Sequence, residues 1–558
     1  MLQFNLRIPA LIQTWFVLAC FLFSCKEPVK PKPKEIVKQP ELLNPKTEEI
    51  IREALEYAAV NGNRIDDSLF LDEGEFVADS YSKTNAARFW SNEKEWYSSG
   101  DSIFYFIVNA ERYGLFPNDY HLRNLNNIRM ALKDSVGMND AALWARADLL
   151  MTDAFVHICR HLKLGRLERD SVTLRTDTLF DASFVNSLIL QAKAGRSPRE
   201  IFEFLEPRHE GYVNLKNALP AFLDSMDRAA YTYIDFPKTD SLLFLKQLQK
   251  RLFESSYIVF NTRPADTTEM KAAILKAQES LGLKQDGKAG PQLVKALNNT
   301  GRERFVRIAI NMDRYKQLPE TMPERYVWVN LPAFKMEVFD SGFAIIESKV
   351  IVGQPKTRTP VLTSEITNFI TYPQWTVPFS IIFKEMLPRI QKNINYLAKE
   401  NLMVVDKYDS VIDPATIDWS VLNKKNFPYL IRQREGDDNS LGLIKFNFRN
   451  KYDVYLHDTN ARSLFARSNR AMSHGCVRVQ EWRVLADFMV SQDTVRYPPD
   501  TLAAWIARAE KHVVPVKMKI PVYLRYFTAV AKEGKIVLFE DIYEDDKLLR
   551  NRYFAKRA

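Results

Sequence analysis

One stretch of 25 residues, YLHDTNARSLFARSNRAMSHGCVRV (455–479), holds the two side chains best suited to nucleophilic chemistry. His457 lies 19 residues before Cys476, and Cys476 closes the tetrad Ser473-His474-Gly475-Cys476. The thiolate is the reactive form of cysteine, and a neighbouring helix start or imidazolium lowers a thiol pKa. Helix-like residues Trp482, Leu485, Ala486 and Met489 follow Cys476. Gly475 lets backbone N–H groups approach a reacting carbonyl without a side chain in the way. Such donors hold the oxyanion of acyl transfer. A base must come within hydrogen-bond reach of the thiol, which requires the fold to bring His457 beside the turn. His474 is the competing base. Residues two apart on a turn point apart, which favours His457 and leaves His474 to orient the turn or assist the oxyanion site.

The elements around this stretch read as β-structure. Tyr452–His457 alternates as a strand ending at the histidine. Upstream, Tyr326–Val329 is a strand, and Phe334, Met336 and Val338 alternate into a turn at Ser341-Gly342. Ala344–Val352 returns as the second arm of a hairpin. Residues 366–371 and 443–448 continue the pattern, giving a β-rich domain over 324–517. Residues 380–430 interrupt it with helix-like Phe383, Met386, Leu387 and Ile390. An insertion of this length beside a catalytic sheet is a candidate lid.

Residues 47–255 are helical by period, as in Phe104, Ile107 and Val108 or Leu149, Phe155, Val156, Cys159 and Leu162. His157, Cys159 and His161 read as packing on one helix, with no ligand set for a metal at suitable spacing. Residues 268–300 form a compact helical unit: Ile274, Ala277, Gln278 and Leu281 share a face, Gly282 caps, Asp286-Gly287 turns, and Gly290-Pro291 opens a second helix. The fold class is therefore α+β and multidomain.

The first 25 residues have the layout of an export signal: Arg7, an apolar run, then Ser24 before Cys25. Residues 26–46 hold five prolines and six lysines, the composition of an extended solvated tether. The net charge of +9 over 558 residues is mild. There is no zinc-finger spacing, aromatic RNA-binding motif or groove-reading basic helix, which argues against nucleic acid. The four cysteines, Cys20, Cys25, Cys159 and Cys476, define no disulfide framework.

The 455–479 stretch closely resembles the L,D-transpeptidase (YkuD) catalytic domain, a histidine followed after a gap by S/T-H/S-G-C, a hydrophobic residue and Arg or Asn. The matching positions are His457, Ser473, His474, Gly475, Cys476, Val477 and Arg478. Val352-Gly353, Thr359-Pro360-Val361, Trp375-Thr376-Val377-Pro378 and RQREGDDNSLGLIKF are similar to large periplasmic members, as is upstream YGLFPNDYH. PVYLRYFTA resembles their closing strand, within a C-terminal segment 518–558. LKAQESLGLKQDGKAGPQLVKAL, within 268–300, resembles a peptidoglycan-binding-type module, and Leu22-Phe23-Ser24-Cys25 resembles a lipobox. The resemblance implies Cys476 as acyl-enzyme nucleophile, His457 as proton acceptor and donor, and Gly475 as a backbone oxyanion donor. It also implies substrate contacts from Arg478, Ser473, Trp375 and Tyr455, with Arg478 placing a carboxylate. Peptidoglycan stem peptides would be the partners, no cofactor or metal would be needed, and the protein would be exported, periplasmic and tethered through a lipidated Cys25.

Overall fold

The computed structural model describes residues 30–169, 172–236 and 241–554. The expected export signal, Cys25 and the first residues of the tether lie outside the described residues. The chain forms two compact units, one through Asp101 with Arg123–Val156, the other comprising Ser102–Leu122 and His157 onward. No helix among the described residues is long and apolar enough to cross a membrane.

The first unit is helical, as expected. A buried carboxylate organises its centre: Asp148 accepts the N–H groups of Phe89 at 2.9 Å and Trp90 at 3.1 Å and the Tyr81 hydroxyl at 2.6 Å. The Pro/Lys-rich stretch departs from the expected tether. Glu35 N–H donates to the Asp140 carboxylate, Val37 N–H to the Asn139 carbonyl, and a helix begins at Leu43. Backbone donors met by fixed acceptors hold parts of this segment against the unit, while most of its side chains stay exposed.

The second unit contains the β-rich domain. Nine strands are β1 (Arg325–Asn330), β2 (Lys335–Asp340), β3 (Phe343–Gly353), β4 (Leu362–Thr371), β5 (Ile444–Phe448), β6 (Leu456–His457), β7 (Ala471–Ser473), β8 (Val477–Val479) and β9 (Val513–Arg525). Their order is β7-β3-β8-β6-β5-β4-β9-β1-β2, and β2 pairs again with β3. Eight strands therefore close into a ring that leaves no open edge between β1 and β8. The apolar period of two fills the interior with Val327, Val329, Ile366, Phe369, Ile444, Phe446, Leu456, Val477, Val479, Val522 and Leu524. On the opposite face of β1 and β9, Tyr326, Trp328 and Tyr523 pack with helices α1 (Glu210–Ser225) and α2 (Gly301–Tyr315). This explains why β1 is buried on both faces. Helix α3 (Trp482–Val490) covers the interior with Trp482, Leu485, Ala486 and Met489.

Three expected boundaries move. β9 starts at Val513, so the closing strand belongs to the ring and is not a separate segment from residue 518. The insertion has its own four-stranded sheet, in which Trp375–Thr376 and Leu430–Gln433 are members, with an apolar core of Val377, Ile382, Leu387, Val404 and Ile431. It is thus a subdomain that includes the residues expected to flank it. The helices Thr267–Ser280 and Pro291–Leu297 share a core with Ser241–Glu254 through Leu248, Leu252, Ile274, Ala277 and Val294. That small unit begins earlier than residue 268. Asp266 and Glu269 form a capping box at the start of the helix Thr267–Ser280, and the buried Gln278 amide holds the turn through Asp286 and Gly287.

Phe446 is fully buried, 5.8 Å from Phe369 between ring centres. Phe446→Ala should cost about 3–5 kcal/mol by lost burial and cavity formation. Chemical denaturation of the full chain measures this; a loss under about 1 kcal/mol would mean that the ring interior is not packed as described.

Candidate active site

The local fold brings the expected histidine and cysteine onto neighbouring strands. β6 pairs with β8 in parallel, placing Leu456 opposite Val477 and His457 opposite Arg478. The Val477 N–H donates to the Tyr455 carbonyl at 3.1 Å. β6 also pairs antiparallel with β5, placing Lys445 opposite His457. Leu456, Val477 and Phe446 point into the ring core. By the period of two, Lys445, His457 and Arg478 then form a row on the other face, with Tyr455 and Cys476 beside it.

Cys476 sits one residue before β8, at the end of a hydrogen-bonded turn. Ser473 Oγ donates to the Cys476 carbonyl at 2.6 Å and accepts the Gly475 N–H at 3.1 Å. Gly475 has φ +126°, a backbone conformation that side chains rarely adopt. Its carbonyl accepts the Thr359 hydroxyl at 2.7 Å, and that oxygen accepts the Gly353 N–H at 2.8 Å. Tyr543 completes the support: its hydroxyl donates to the Gly353 carbonyl at 2.7 Å and accepts the Thr359 N–H at 3.2 Å.

These bonds revise several expected roles. Ser473 is buried and its hydroxyl is used within the turn, so it braces Cys476 and does not offer itself to a substrate. The Gly475 N–H is likewise engaged by Ser473. His474 is exposed, and its Nε2 lies 2.8 Å from Glu385 Oε1 on the π-helical turn Ile382–Met386 of the insertion. It ties the turn to the insertion instead of facing the thiol. The strand β8 separates Cys476 from α3, so that helix does not start at the thiol.

The electrostatics follow from burial. Burial pushes the Cys476 thiol up from its ordinary value; hydrogen bonding with Tyr455 and the charges of Lys445 and Arg478 pull it down without cancelling that effect. His457 is pushed down to about 3 by burial, reinforced by the Arg478 and Lys445 cations. Its Nδ1 is buried without a hydrogen-bond partner, and Cys476 Sγ lies 3.9 Å from the Asp453 carbonyl. Burial therefore favours the neutral form of each group, the thiol at Cys476 and the imidazole at His457. Tyr455, raised far above the usual phenol range by burial and by Cys476, sits between the thiol and Trp375. Arg478 is lowered by burial, its Nε is buried without a partner, and one terminal nitrogen lies 3.4 Å from the Thr459 hydroxyl.

The structure thus groups Cys476, His457, Arg478, Tyr455 and Trp375, and gives Ser473, Gly475 and His474 supporting positions. Sequence reasoning gave no site role to Lys445 or Thr359, although both lie in stretches that carry the resemblance, and it passed over Tyr543 and Glu385. Lys445 was accessible to the same alternation that marks Phe446 as core. The other three act across long sequence separations.

Residues 324–496 match the family of the L,D-transpeptidase catalytic domain, YkuD. Residues 75–219 match the Scaffold domain. The chain thus carries a YkuD-type L,D-transpeptidase catalytic domain over residues 324–496 and a Scaffold domain over residues 75–219. A Haemophilus influenzae (strain ATCC 51907 / DSM 11121 / KW20 / Rd) protein provisionally named an L,D-transpeptidase is 36% identical over 241 residues, 43% of this chain and 48% of that protein. The chain thus spans about half the length of this curated relative. A crystal structure of the L,D-transpeptidase (Yku) from Stackebrandtia nassauensis is 16% identical at TM-score 0.16, covering 53% of this chain and 97% of that one. That of the L,D-transpeptidase (residues 123–326) from Xylanimonas cellulosilytica DSM 15894 is 14% identical at TM-score 0.15, covering 54% and 100%. Likeness at these scores adds nothing to the placement of the site.

Two titrations test the neutral pair. Alkylation of Cys476 by iodoacetamide, followed by peptide mass, should keep accelerating through about pH 9, because a raised thiol pKa delays the thiolate. A plateau below about pH 7.5 would show a thiolate–imidazolium pair instead. For His457, the folded pKa lies below the unfolded value, so the unfolded chain binds the extra proton. Its contribution to stability is whole above pH 6.5 and declines as pH falls toward about 3. The wild type should lose up to about 1.4 kcal/mol per pH unit in that window relative to His457→Gln. Parallel stability profiles of the two would contradict a buried neutral imidazole.

Proposed function

We propose that this protein is a cysteine acyltransferase acting on peptidoglycan stem peptides, cross-linking them by L,D-transpeptidation. The observation that carries this is the strand register that sets His457 beside Arg478 and Tyr455 beside Cys476, within a YkuD-type domain. Cys476 Sγ attacks the carbonyl carbon of the third residue in a tetrapeptide donor, and the thiol proton passes to His457 Nδ1 or Nε2 as the imidazole swings into reach. A neutral imidazole is the form that can accept it. The tetrahedral oxyanion is held by backbone donors of the turn, with the Cys476 N–H the best placed, since Gly475 N–H is engaged. Collapse expels the terminal D-alanine, whose amine takes the proton back from His457. An amine of a neighbouring stem then attacks the thioester, releasing Cys476 and forming the cross-link. Attack by water would give an L,D-carboxypeptidase.

Trp375 and Tyr455 would line the donor groove, and the 375–434 insertion would act as a lid joined to the turn through Glu385 and His474. The 268–300 region would contact the cell wall, and the protein would be exported and held at a membrane through Cys25. No cofactor or metal enters the reaction.

Incubation with disaccharide-tetrapeptide, read by mass, should give cross-linked dimer. Cys476→Ala and His457→Ala should each reduce product at least about 100-fold, whereas His474→Ala retains turnover. Tripeptide alone would replace transfer by hydrolysis, and full activity in Cys476→Ala would remove the nucleophile assignment.

A further inference from the structure

The peptide unit between Gly475 and Cys476 carries two groups that point opposite ways. It is trans and planar, so its C=O and its N–H are antiparallel. Fixing the Gly475 carbonyl therefore aims the Cys476 N–H, the donor proposed above for the oxyanion. The Thr359 hydroxyl fixes that carbonyl at 2.7 Å and is itself fixed by the Gly353 N–H at 2.8 Å. Glycine at 475, with φ +126°, does little on its own to stop this unit from rotating. The Thr359 hydroxyl supplies the constraint that the local backbone lacks.

Thr359 is held in turn by the C-terminal segment. The Tyr543 hydroxyl donates to the Gly353 carbonyl at 2.7 Å and accepts the Thr359 N–H at 3.2 Å. Thr359 and Tyr543 are both buried. The Tyr543 N–H donates to the Tyr526 hydroxyl at 2.9 Å, which donates to Asp541 at 2.6 Å. Beside this pair, Arg358 meets Asp545 at 2.9 Å, with its guanidinium 5.4 Å from the centre of the Tyr543 ring. The same loop reaches the turn twice more. The Gln354 N–H at 2.9 Å and the Thr357 hydroxyl at 3.0 Å both donate to the Ser473 carbonyl. The 541–545 segment thus stands behind the loop, and its bonds end at the peptide that carries Cys476.

We infer that Tyr543 and Thr359 are positioning residues that aim the Cys476 N–H at the developing oxyanion. This rests on the acyl-transfer reading above and adds to it the residues that set the oxyanion donor. Neither side chain need touch the substrate. Removing their hydroxyls leaves the thiol on its turn and frees the peptide unit to swing its N–H away. Reactions at Cys476 that build an oxyanion then slow, and reactions that build none do not.

The test sets two reactions of the full-length protein side by side. With p-nitrophenyl acetate, Cys476 Sγ bonds to the acetyl carbon, its proton passes to His457, and the tetrahedral oxyanion collapses to expel p-nitrophenolate. With iodoacetamide, the sulfur displaces iodide at a saturated carbon and no oxyanion forms. Peptide mass at Cys476 reads both rates. Thr359→Val should slow acetylation at least about tenfold and alkylation less than about twofold. Tyr543→Phe should give the same split with at least about a fivefold loss, and Thr359→Ser should keep the wild-type rates. Adding Tyr543→Phe to Thr359→Val should change little, since both act on one path. With disaccharide-tetrapeptide, both single variants should lower kcat at an unchanged KM. Denaturation midpoints establish that each variant is folded. Should Thr359→Val fail to fold, Tyr543→Phe keeps its ring against Tyr526 and carries the comparison. Equal slowing of the two reactions in Tyr543→Phe would overturn the inference in favour of a support for the thiol itself. Wild-type rates in Tyr543→Phe would remove Tyr543 from it, and additive losses in the double variant would rule out the path through Thr359. A wild type whose variants show the split but which cross-links no tetrapeptide would refute the transpeptidase reading and leave the positioning intact.

Discussion

The parallel pairing of β6 with β8 is the constraint on which the site depends. Two short strands, Leu456–His457 and Val477–Val479, fix the register between segments separated by 19 residues in sequence. A shift of one residue would turn His457 and Arg478 into the ring and expose Leu456 and Val477. Burial of Leu456, Val477, Val479 and Phe446 opposes such a shift. The apolar core thus does positional work for the polar face: each side chain buried inward holds a chemical group outward on the next residue.

A second support stands behind the thiol. Gly475 takes a left-handed backbone, and its carbonyl is held by Thr359, which is held in turn by Gly353 and Tyr543. The C-terminal segment therefore reaches the nucleophile turn through one tyrosine hydroxyl. Tyr543 also stacks on Tyr526, near the end of the ring's last strand. Strand closure and cysteine placement are coupled through this chain of hydrogen bonds.

Much of the fold was legible because the apolar period was strong. The β1–β3 segments, β4, β5 and α3 fell where alternation or helical spacing placed them. The proposed nucleophile Cys476 and its proposed base His457 stood out by residue type and by the flanking Gly475 and Arg478, and the strand register brings their segments together. What could not be read was long-range pairing. Tyr452–His457 shrank to two paired residues because Asp453 takes φ +54° and Asn450 folds the preceding loop through its side chain. The insertion's sheet joins residues 375–376 to 430–433, a pairing that no local signal encodes. Ser473 looked available to a substrate until the turn consumed its hydroxyl. The thiol looked activated by a following helix until a strand intervened and burial raised its pKa. The YkuD family match over residues 324–496 agrees with the motif, whereas the role proposed for each residue rests on register and burial.

The central claim is that Cys476, served by a neutral His457, carries the acyl group between donor and acceptor. The most direct measurement is the mass of the protein quenched in acid shortly after mixing with disaccharide-tetrapeptide and no acceptor, followed by peptide mapping. The account predicts a thioester adduct on Cys476 equal to the donor minus its terminal alanine, absent in Cys476→Ala. An adduct on another residue, or cross-linked product formed without any adduct at Cys476 under the same quench, would contradict it.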